Sequence, residues 1–311
     1  MEGFRHEPVL LREVVEGLAV WPGGLWVDCT IGGGGHAGAV LRASSPEGRL
    51  IGCDLDADAV AAARERLAEF GGRVTVHEGS YVDLEQWAPP GECDGVVADF
   101  GVSSWQLDSA ERGFSHQKAG KLDMRFGRGD GPTAMDLVNQ TTVNELEKII
   151  RQLGEEPRAR RLARAIEAER ARSPITTTTQ LAALAERVCP RRGARIHPAT
   201  RLFQALRLAT NRELENVQAG LQVMWRLLRP LGRLAVIGFH GGEARLIKRF
   251  GRELSRDYTW EGEVDRPEFR IPCAPRLRWV HRRPLRPSEA ELERNPRSRS
   301  AFLYVFEKLR D

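Results

Sequence analysis

The sequence predicts an α/β fold, a parallel sheet with crossover helices, interrupted by an all-helical insertion. Three observations predict it. Four consecutive glycines, Gly32 to Gly35, follow the apolar run Leu25-Trp26-Val27 and precede a helix-like segment. Short apolar runs then alternate with helical segments over the first hundred residues, the pattern of a parallel sheet. Near Asp108 this rhythm gives way to helices alone, and it resumes near Pro198. The expected organisation is 1–108 as the first part of the α/β domain, 109–197 as a helical insertion, and 198–311 as the second part. At 311 residues and 41% hydrophobic content the chain can bury a core of that size.

Residues 9–18 carry apolar positions at helical spacing, and Trp21-Pro22-Gly23-Gly24 turns the chain into the first strand. Glycines just past that strand let backbone approach a ligand, because no Cβ stands in the way, and the helix after them offers unpaired N–H groups. A flexible surface turn is the alternative. A helix begins at Ala37 and stops around Ser45-Pro46. Residues 49–54 form a second strand ending on Asp54, and 58–70 an alanine-rich helix closed by Gly71-Gly72. Residues 74–77 and 95–99 repeat the strand signal.

Residues 111–131 are polar, contain glycines and lack periodicity, which suggests a functional loop. Thr142-Val143-Asn144-Glu145 reads as a capping box before Leu146, Ile149, Ile150 and Leu153, and Thr177 to Gln180 does the same for the next helix. Between them, 159–170 carries alternating charge. Pro198 opens a long helix, broken or bent, to Leu228. Residues 233–239 form a buried strand, 246–254 a short helix, and 301–307 an alternating last strand. There is no internal repeat.

No apolar run approaches the ~20 residues that a bilayer crossing needs, and the first residues lack a signal-peptide layout, so the cytoplasm and no membrane are expected. The five cysteines are odd in number and form no C-x-x-C, which reads as reduced and structural thiols. A net charge of +4 is too small to require a polyanionic partner. Arginine, however, crowds into 158–212 and 276–299, where it could grip nucleic acid or simply solvate a helix face beside Glu155, Glu156, Glu167 and Glu169.

The glycine loop admits three nucleotide-type ligands. A phosphate-binding loop needs Gly-Lys-Ser/Thr, yet the first lysine is Lys118, so that option falls. A dinucleotide would be held by an acid roughly 20 residues on, a place Asp54 fills, but S-adenosylmethionine also has a ribose to hold. Tyr81 past the third strand would offer an adenine a ring to stack on, and Asp99 ends the fourth strand where a methyl acceptor would meet the sulfonium. Taken singly, Tyr81 could cover the sheet edge, Asp54 could cap the helix near Asp58, and Asp99 could cap the segment after Phe100. No His/Cys spacing indicates a metal.

Longer stretches carry a family resemblance. His6-Glu7-Pro8-Val9-Leu10, Gly34-Gly35-His36, the run from Asp99 to Asp108, Arg112-Gly113-Phe114-Ser115 and Leu122-Asp123-Met124-Arg125 come first. Gly154-Glu155-Glu156, the segment from His197 to Arg207, Phe239-His240 and Asn295-Pro296-Arg297-Ser298-Arg299-Ser300 come after them in order. Together they resemble the bacterial ribosomal RNA small-subunit methyltransferase H family, also called MraW, nearly from end to end.

The resemblance implies a Rossmann-like class I S-adenosylmethionine-dependent methyltransferase sheet whose helical insertion recognises RNA. The implied activity is methylation of the N4 amine of a cytosine in the decoding region of 16S rRNA, with the small ribosomal subunit as partner and a homodimer as a possible assembly. Carried over by position, the cofactor contacts are Gly34, Gly35, His36, Asp54, Tyr81, Asp99 and Gln106. A cytosine amine is a poor nucleophile, so the site must align it, exclude water and accept its hydrogen bonds as it becomes cationic. Asp99 is the candidate acceptor, with His240 and Glu243 as further catalytic candidates at the same edge and a structural hydrogen bond as the alternative for His240. Arg112, Arg125 and Arg201 would position the backbone of a splayed-out base. The chain departs from the family pattern at Phe100, Ala119, Lys121, Gly241, Gly242 and Ala244, positions expected on the RNA side and not on the cofactor side. The competing reading is a cofactor-binding ribosome-assembly factor.

Overall fold

The computed structural model describes residues 8–127, 129, 131–190, 197–260 and 264–309. His6 and Glu7 of the first motif, and Arg191, Arg192 and Arg195 of the basic stretch, lie outside the described residues. The chain forms two compact units, 1–101 with 216–311, and 102–215.

The first unit opens with α1 (Leu11–Leu18), β1 (Leu25–Asp28), α2 (Gly35–Ala43), β2 (Arg49–Asp54), α3 (Ala57–Arg66), β3 (Val74–Glu78) and β4 (Cys93–Asp99). The helical unit comes next with α4 (Ser104–Asp108), α5 (Ala134–Gln140), α6 (Val143–Gln152), α7 (Ala159–Arg170), α8 (Thr178–Val188) and α9 (Pro198–Thr210). The chain returns through α10 (Glu213–Leu227), β5 (Leu228–Gly238), α11 (Gly241–Leu254), a small ribbon of β6 (Tyr258–Trp260) and β7 (Arg270–Pro272), then β8 (Leu277–Trp279), α12 (Glu289–Arg294) and β9 (Phe302–Lys308). Among the described residues no helix is long and apolar enough to cross a membrane.

The main sheet has the order β3-β2-β1-β4-β5-β9-β8. Strands β1 to β5 run parallel, and β9 enters antiparallel beside β5. The chain leaves β1 toward β2 and β3 and then returns to its other side for β4, so the direction of winding reverses between β1 and β4. Open α/β sheets bind ligands at such a switch point, outside the carboxyl ends of the strands. Both faces are covered, as the unbroken apolar runs of these strands require. Val27, Val96, Leu234, Val236, Tyr304 and Phe306 fill the core on one face. Their neighbours Trp26, Val97, Ala235, Ile237, Leu303 and Val305 fill the other, under α1, α2 and α3.

The helical unit has its own core, which includes Leu146, Ile150, Leu162, Ile166, Leu181 and Leu206. The sequence places this insertion at 109–197, but the unit spans 102–215 and takes in α9. Ala199, Leu202, Phe203 and Leu206 on α9 all join that core, and α9 packs against α6 and α8. The long helix expected from Pro198 to Leu228 is two helices. Arg212, at φ +48°, breaks it, and Asn211 at the break accepts from Phe126 N at 2.8 Å and donates to Met124 O at 2.7 Å. A continuous apolar rhythm through 198–228 concealed which core each half joins.

Several caps agree closely with the sequence. Thr177 and Gln180 form the reciprocal box at the start of α8. Thr142 Oγ1 accepts from Glu145 N at 3.3 Å. Four cysteines are buried free thiols, whereas Cys273 is exposed and so has no core role. Phe306 anchors the sheet's antiparallel edge, fully buried with its ring centroid 4.8 Å from that of Trp279 and 5.9 Å from that of Phe250. Phe306→Ala should cost about 3–5 kcal/mol of stability, read as a lower urea midpoint with little change in the m-value.

Candidate functional site

The glycine loop is built by its neighbours. Cys29 N donates to Val97 O at 2.8 Å and Ile31 N to Cys53 O at 2.9 Å, so the chain leaving β1 stays bound to β4 and then to β2. Gly32 N donates to Asp54 Oδ2 at 2.9 Å, and Asp99 N to Thr30 Oγ1 at 2.7 Å. Gly32 and Gly34 take φ of +49° and +77°, values that glycine adopts without strain. A Cβ on Gly34 would lie 3.1 Å from Leu67 Cγ, and one on Gly35 would lie 3.0 Å from Pro8 Cγ. Gly34 caps α2, so Gly35 and His36 occupy its first turn.

His36 is buried, and its Nε2 lies 2.9 Å from Val9 O. A carbonyl only accepts, so Nε2 carries the proton and Nδ1 faces Asp99 Oδ2 at 4.0 Å. Asp54 Oδ1 accepts from Asp56 N at 2.9 Å, while Asp56 itself caps α3 through Asp58 N. The capping role considered for Asp54 thus belongs to Asp56. Tyr81 starts a short 3₁₀ turn behind Ser80, its ring centroid 5.7 Å from that of Phe100 and its face against Gly220 of α10, where a Cβ would come within 2.5 Å.

Phe100 is a buried neighbour of Tyr81, one of the expected cofactor contacts, whereas its departure from the family pattern was expected on the RNA side. The side chain just after β4 turns back under the sheet's edge, which the sequence alone does not reveal.

Past β5, His240 and Glu243 form the reciprocal capping box of α11. His240 Nδ1 accepts from Gly242 N at 3.1 Å, and Glu243 Oε2 accepts from Phe239 N at 2.7 Å and His240 N at 3.2 Å. His240 Nε2 and Glu243 Oε1 are 3.1 Å apart. These bonds hold the chain's exit from β5.

Gly34, Gly35, His36, Asp54, Tyr81, Asp99, His240 and Glu243 all belong to the α/β unit, at or just beyond the carboxyl ends of its parallel strands. Gln106 belongs to the helical unit. It is buried on α4, and its Oε1 accepts from Ser103 N at 3.0 Å in a capping box. In the same unit Arg112 donates to Phe126 O at 2.6 Å and Arg125 pairs with Asp123 at 2.8 Å, so both organise the aperiodic segment that carries them. Arg201 lies 3.7 Å from Glu156.

Sequence reasoning missed Asp28. Its carboxyl ends β1 as those of Asp54 and Asp99 end β2 and β4, and that repetition was the available signal. Burial pushes the Asp28 carboxyl up to about 7, with the Thr30 and Ala37 N–H groups opposing the shift and Asp54 adding to it. Burial pushes Asp54 up to about 6 against the N–H groups of Asp56 and Gly32. Asp99 rises to about 8, chiefly through burial, then through Asp28 and Glu243. Among the described residues, Asp99 Oδ1 is buried without a hydrogen-bond partner. A buried acceptor of this kind is met by a proton, a water or a ligand. A backbone cradle beside electron-rich carboxyls fits S-adenosylmethionine, which brings an ammonium, a sulfonium and two ribose hydroxyls.

Folded pKa values raised above the unfolded ones favour the folded state at low pH, and that contribution is lost as pH rises through about 6 to 8. The ligand-free Asp28→Asn variant should accordingly melt above the unsubstituted protein at pH 8, with the gap closing near pH 4. Thermal denaturation across that range checks this.

The family model described as the MraW methylase family matches residues 3–309. A protein of Thermomicrobium roseum named ribosomal RNA small subunit methyltransferase H is 48% identical over 308 residues, 98% of this chain and 94% of that one. Proteins of the same name from Symbiobacterium thermophilum and Trichlorobacter lovleyi are each 46% identical, over 98% and 99% of this chain and 97% and 100% of theirs. With a match that leaves out only a few terminal residues, and relatives this similar over their whole length, the chain belongs to the MraW methylase family.

Proposed function

We infer that this chain is an S-adenosylmethionine-dependent rRNA methyltransferase, and that it methylates the N4 amine of a cytosine in the decoding region of 16S rRNA. The observation that carries the reading is the end-to-end family match, with relatives named for small-subunit rRNA methylation. The site supports it. Bound at the glycine loop, S-adenosylmethionine would supply an electrophilic methyl carbon, which the N4 lone pair takes from sulfur.

In this reading Gly34, Gly35 and His36 seat the aminoacyl tail. Asp54 takes the ribose, since each of its oxygens accepts one backbone N–H and retains a further lone pair. Tyr81 lies against the adenine. Asp99, at the switch point, accepts the hydrogen bond of the amine as it becomes cationic. His240 and Glu243 hold the chain beyond β5 in place, and Gln106 of the helical unit is carried over from the family pattern alone. That unit would contact RNA, and the exposed Arg160, Arg161 and Arg164 of α7 suit phosphate contact. The acceptor would be 16S rRNA, free or in the small ribosomal subunit, in the cytoplasm.

Purified protein with labelled S-adenosylmethionine should methylate small subunits that lack the modification, and Asp99→Ala should lower kcat at least about a hundredfold. Cofactor binding without any methyl incorporation would overturn the reading in favour of an assembly factor. Gly34→Val, which adds a β-branched side chain at φ +77° against Leu67, should weaken S-adenosylmethionine binding at least about tenfold while the far-UV spectrum is kept. Calorimetry measures the loss.

A further inference from the structure

We propose that Asp28 and Asp99 form a charge-selecting element that distinguishes the sulfonium cofactor from its thioether product, with Asp28 as its central, specificity-determining residue and Asp54 as its neighbour on β2. The proposal rests on the functional reading above and assigns a role to a residue outside the cofactor contacts of that reading.

The sheet's register brings the three together. Asp28 is the Cα partner of Gly52 on β2 and of Val97 on β4. Asp54 and Asp99 stand two residues beyond those partners, and side chains alternate along a strand, so all three lie on one face at the sheet's carboxyl edge. Asp28 sits between the other two, only 2% exposed. Its Oδ1 accepts from Thr30 N at 3.1 Å, the Ala37 N–H also acts on its carboxylate, and among the described residues Asp99 Oδ1 is a buried acceptor with no hydrogen-bond partner.

Among the described residues, other titratable groups act on them. His36 of α2 faces Asp99 at 4.0 Å, Glu243 of α11 acts on Asp99, and Asp56 acts on Asp54. The thiols of Cys29 and Cys53 are held well above their usual range by burial. The charges that act on the three carboxyls are thus themselves acidic, with His36 as the nearby base. Burial and mutual repulsion keep protons on the cluster near neutral pH.

S-adenosylmethionine and S-adenosylhomocysteine share the aminoacyl tail, the ribose and the adenine. They differ by one methyl group and by the positive charge on sulfur. Contacts to the shared parts bind both alike and cannot separate them. A cation arriving beside the cluster favours the ionised carboxyls, so protons leave as the cofactor binds. Once the methyl group has gone, sulfur is neutral, the cluster takes protons back and the attraction that held the donor is lost. The same exchange leaves Asp99 ionised while the donor is present, the form in which it can accept a hydrogen bond from the amine.

Calorimetry in phosphate and Tris buffers, whose ionisation enthalpies differ, counts protons released on binding. The ligands are S-adenosylmethionine, S-adenosylhomocysteine and sinefungin, which carries an amine near the position of the transferred methyl. Between pH 6.5 and 8.5 the first and third should release more protons than the second. The preference for S-adenosylmethionine over S-adenosylhomocysteine should rise with pH, by at most about tenfold per pH unit for each linked proton. Asp28→Asn should lose several-fold in that preference and flatten its pH dependence. Equal proton release by donor and product, or a preference that does not change with pH, would overturn the proposal and leave the functional reading standing. If Asp28→Asn fails to fold, the proton counts of the unsubstituted protein decide alone. If the protein binds none of the three nucleosides, the functional reading falls and this proposal with it.

Discussion

The structure depends on the way the chain leaves β1. Within four residues it bonds to β4 through Cys29 N, receives Asp99 N on Thr30 Oγ1, bonds to β2 through Ile31 N and clasps the Asp54 carboxylate through Gly32 N. These bonds tie the ends of three neighbouring strands to one loop. They leave Gly34 and Gly35 in a shape that side chains would block. Winding reverses at this same place, between β1 and β4, which is why the carboxyl ends of the strands open a site here.

Such a loop has an electrostatic cost. It gathers the carboxyls of Asp28, Asp54 and Asp99 under it with His36 as the neighbouring base. In a site for a neutral ligand that arrangement would be a liability, because buried carboxyls repel one another and resist ionisation. In a site for a sulfonium it is matched to the ligand.

The second unit is held by different means. Its helices are started by side-chain caps at Thr133, Thr142, Thr177 and His197 and share a core of their own. Its aperiodic segment is tied down by Arg112, Arg125 and Asn211, polar side chains that bond to backbone carbonyls or to neighbouring carboxylates. Residues without helical or strand rhythm are therefore ordered by specific polar contacts, and sequence periodicity cannot detect those.

By itself the sequence determined the elements whose signals are local. The glycine run, the alternating strands and helices, the capping residues of α6 and α8 and the motifs of the family are all patterns within a few residues of one another. They sufficed for the α/β class, the helical insertion, the nature of the cofactor and a set of residues that the fold brings to the carboxyl ends of its strands. Tertiary structure decided what depends on which surfaces meet. It assigned α9 to the helical unit, because its apolar side matches α6 and α8. It turned Phe100 toward Tyr81, used Glu243 and His240 to cap α11, and placed Asp28 between Asp54 and Asp99. Register across a parallel sheet and the choice of core are long-range properties, settled by packing between residues far apart in the chain, so no local pattern records them.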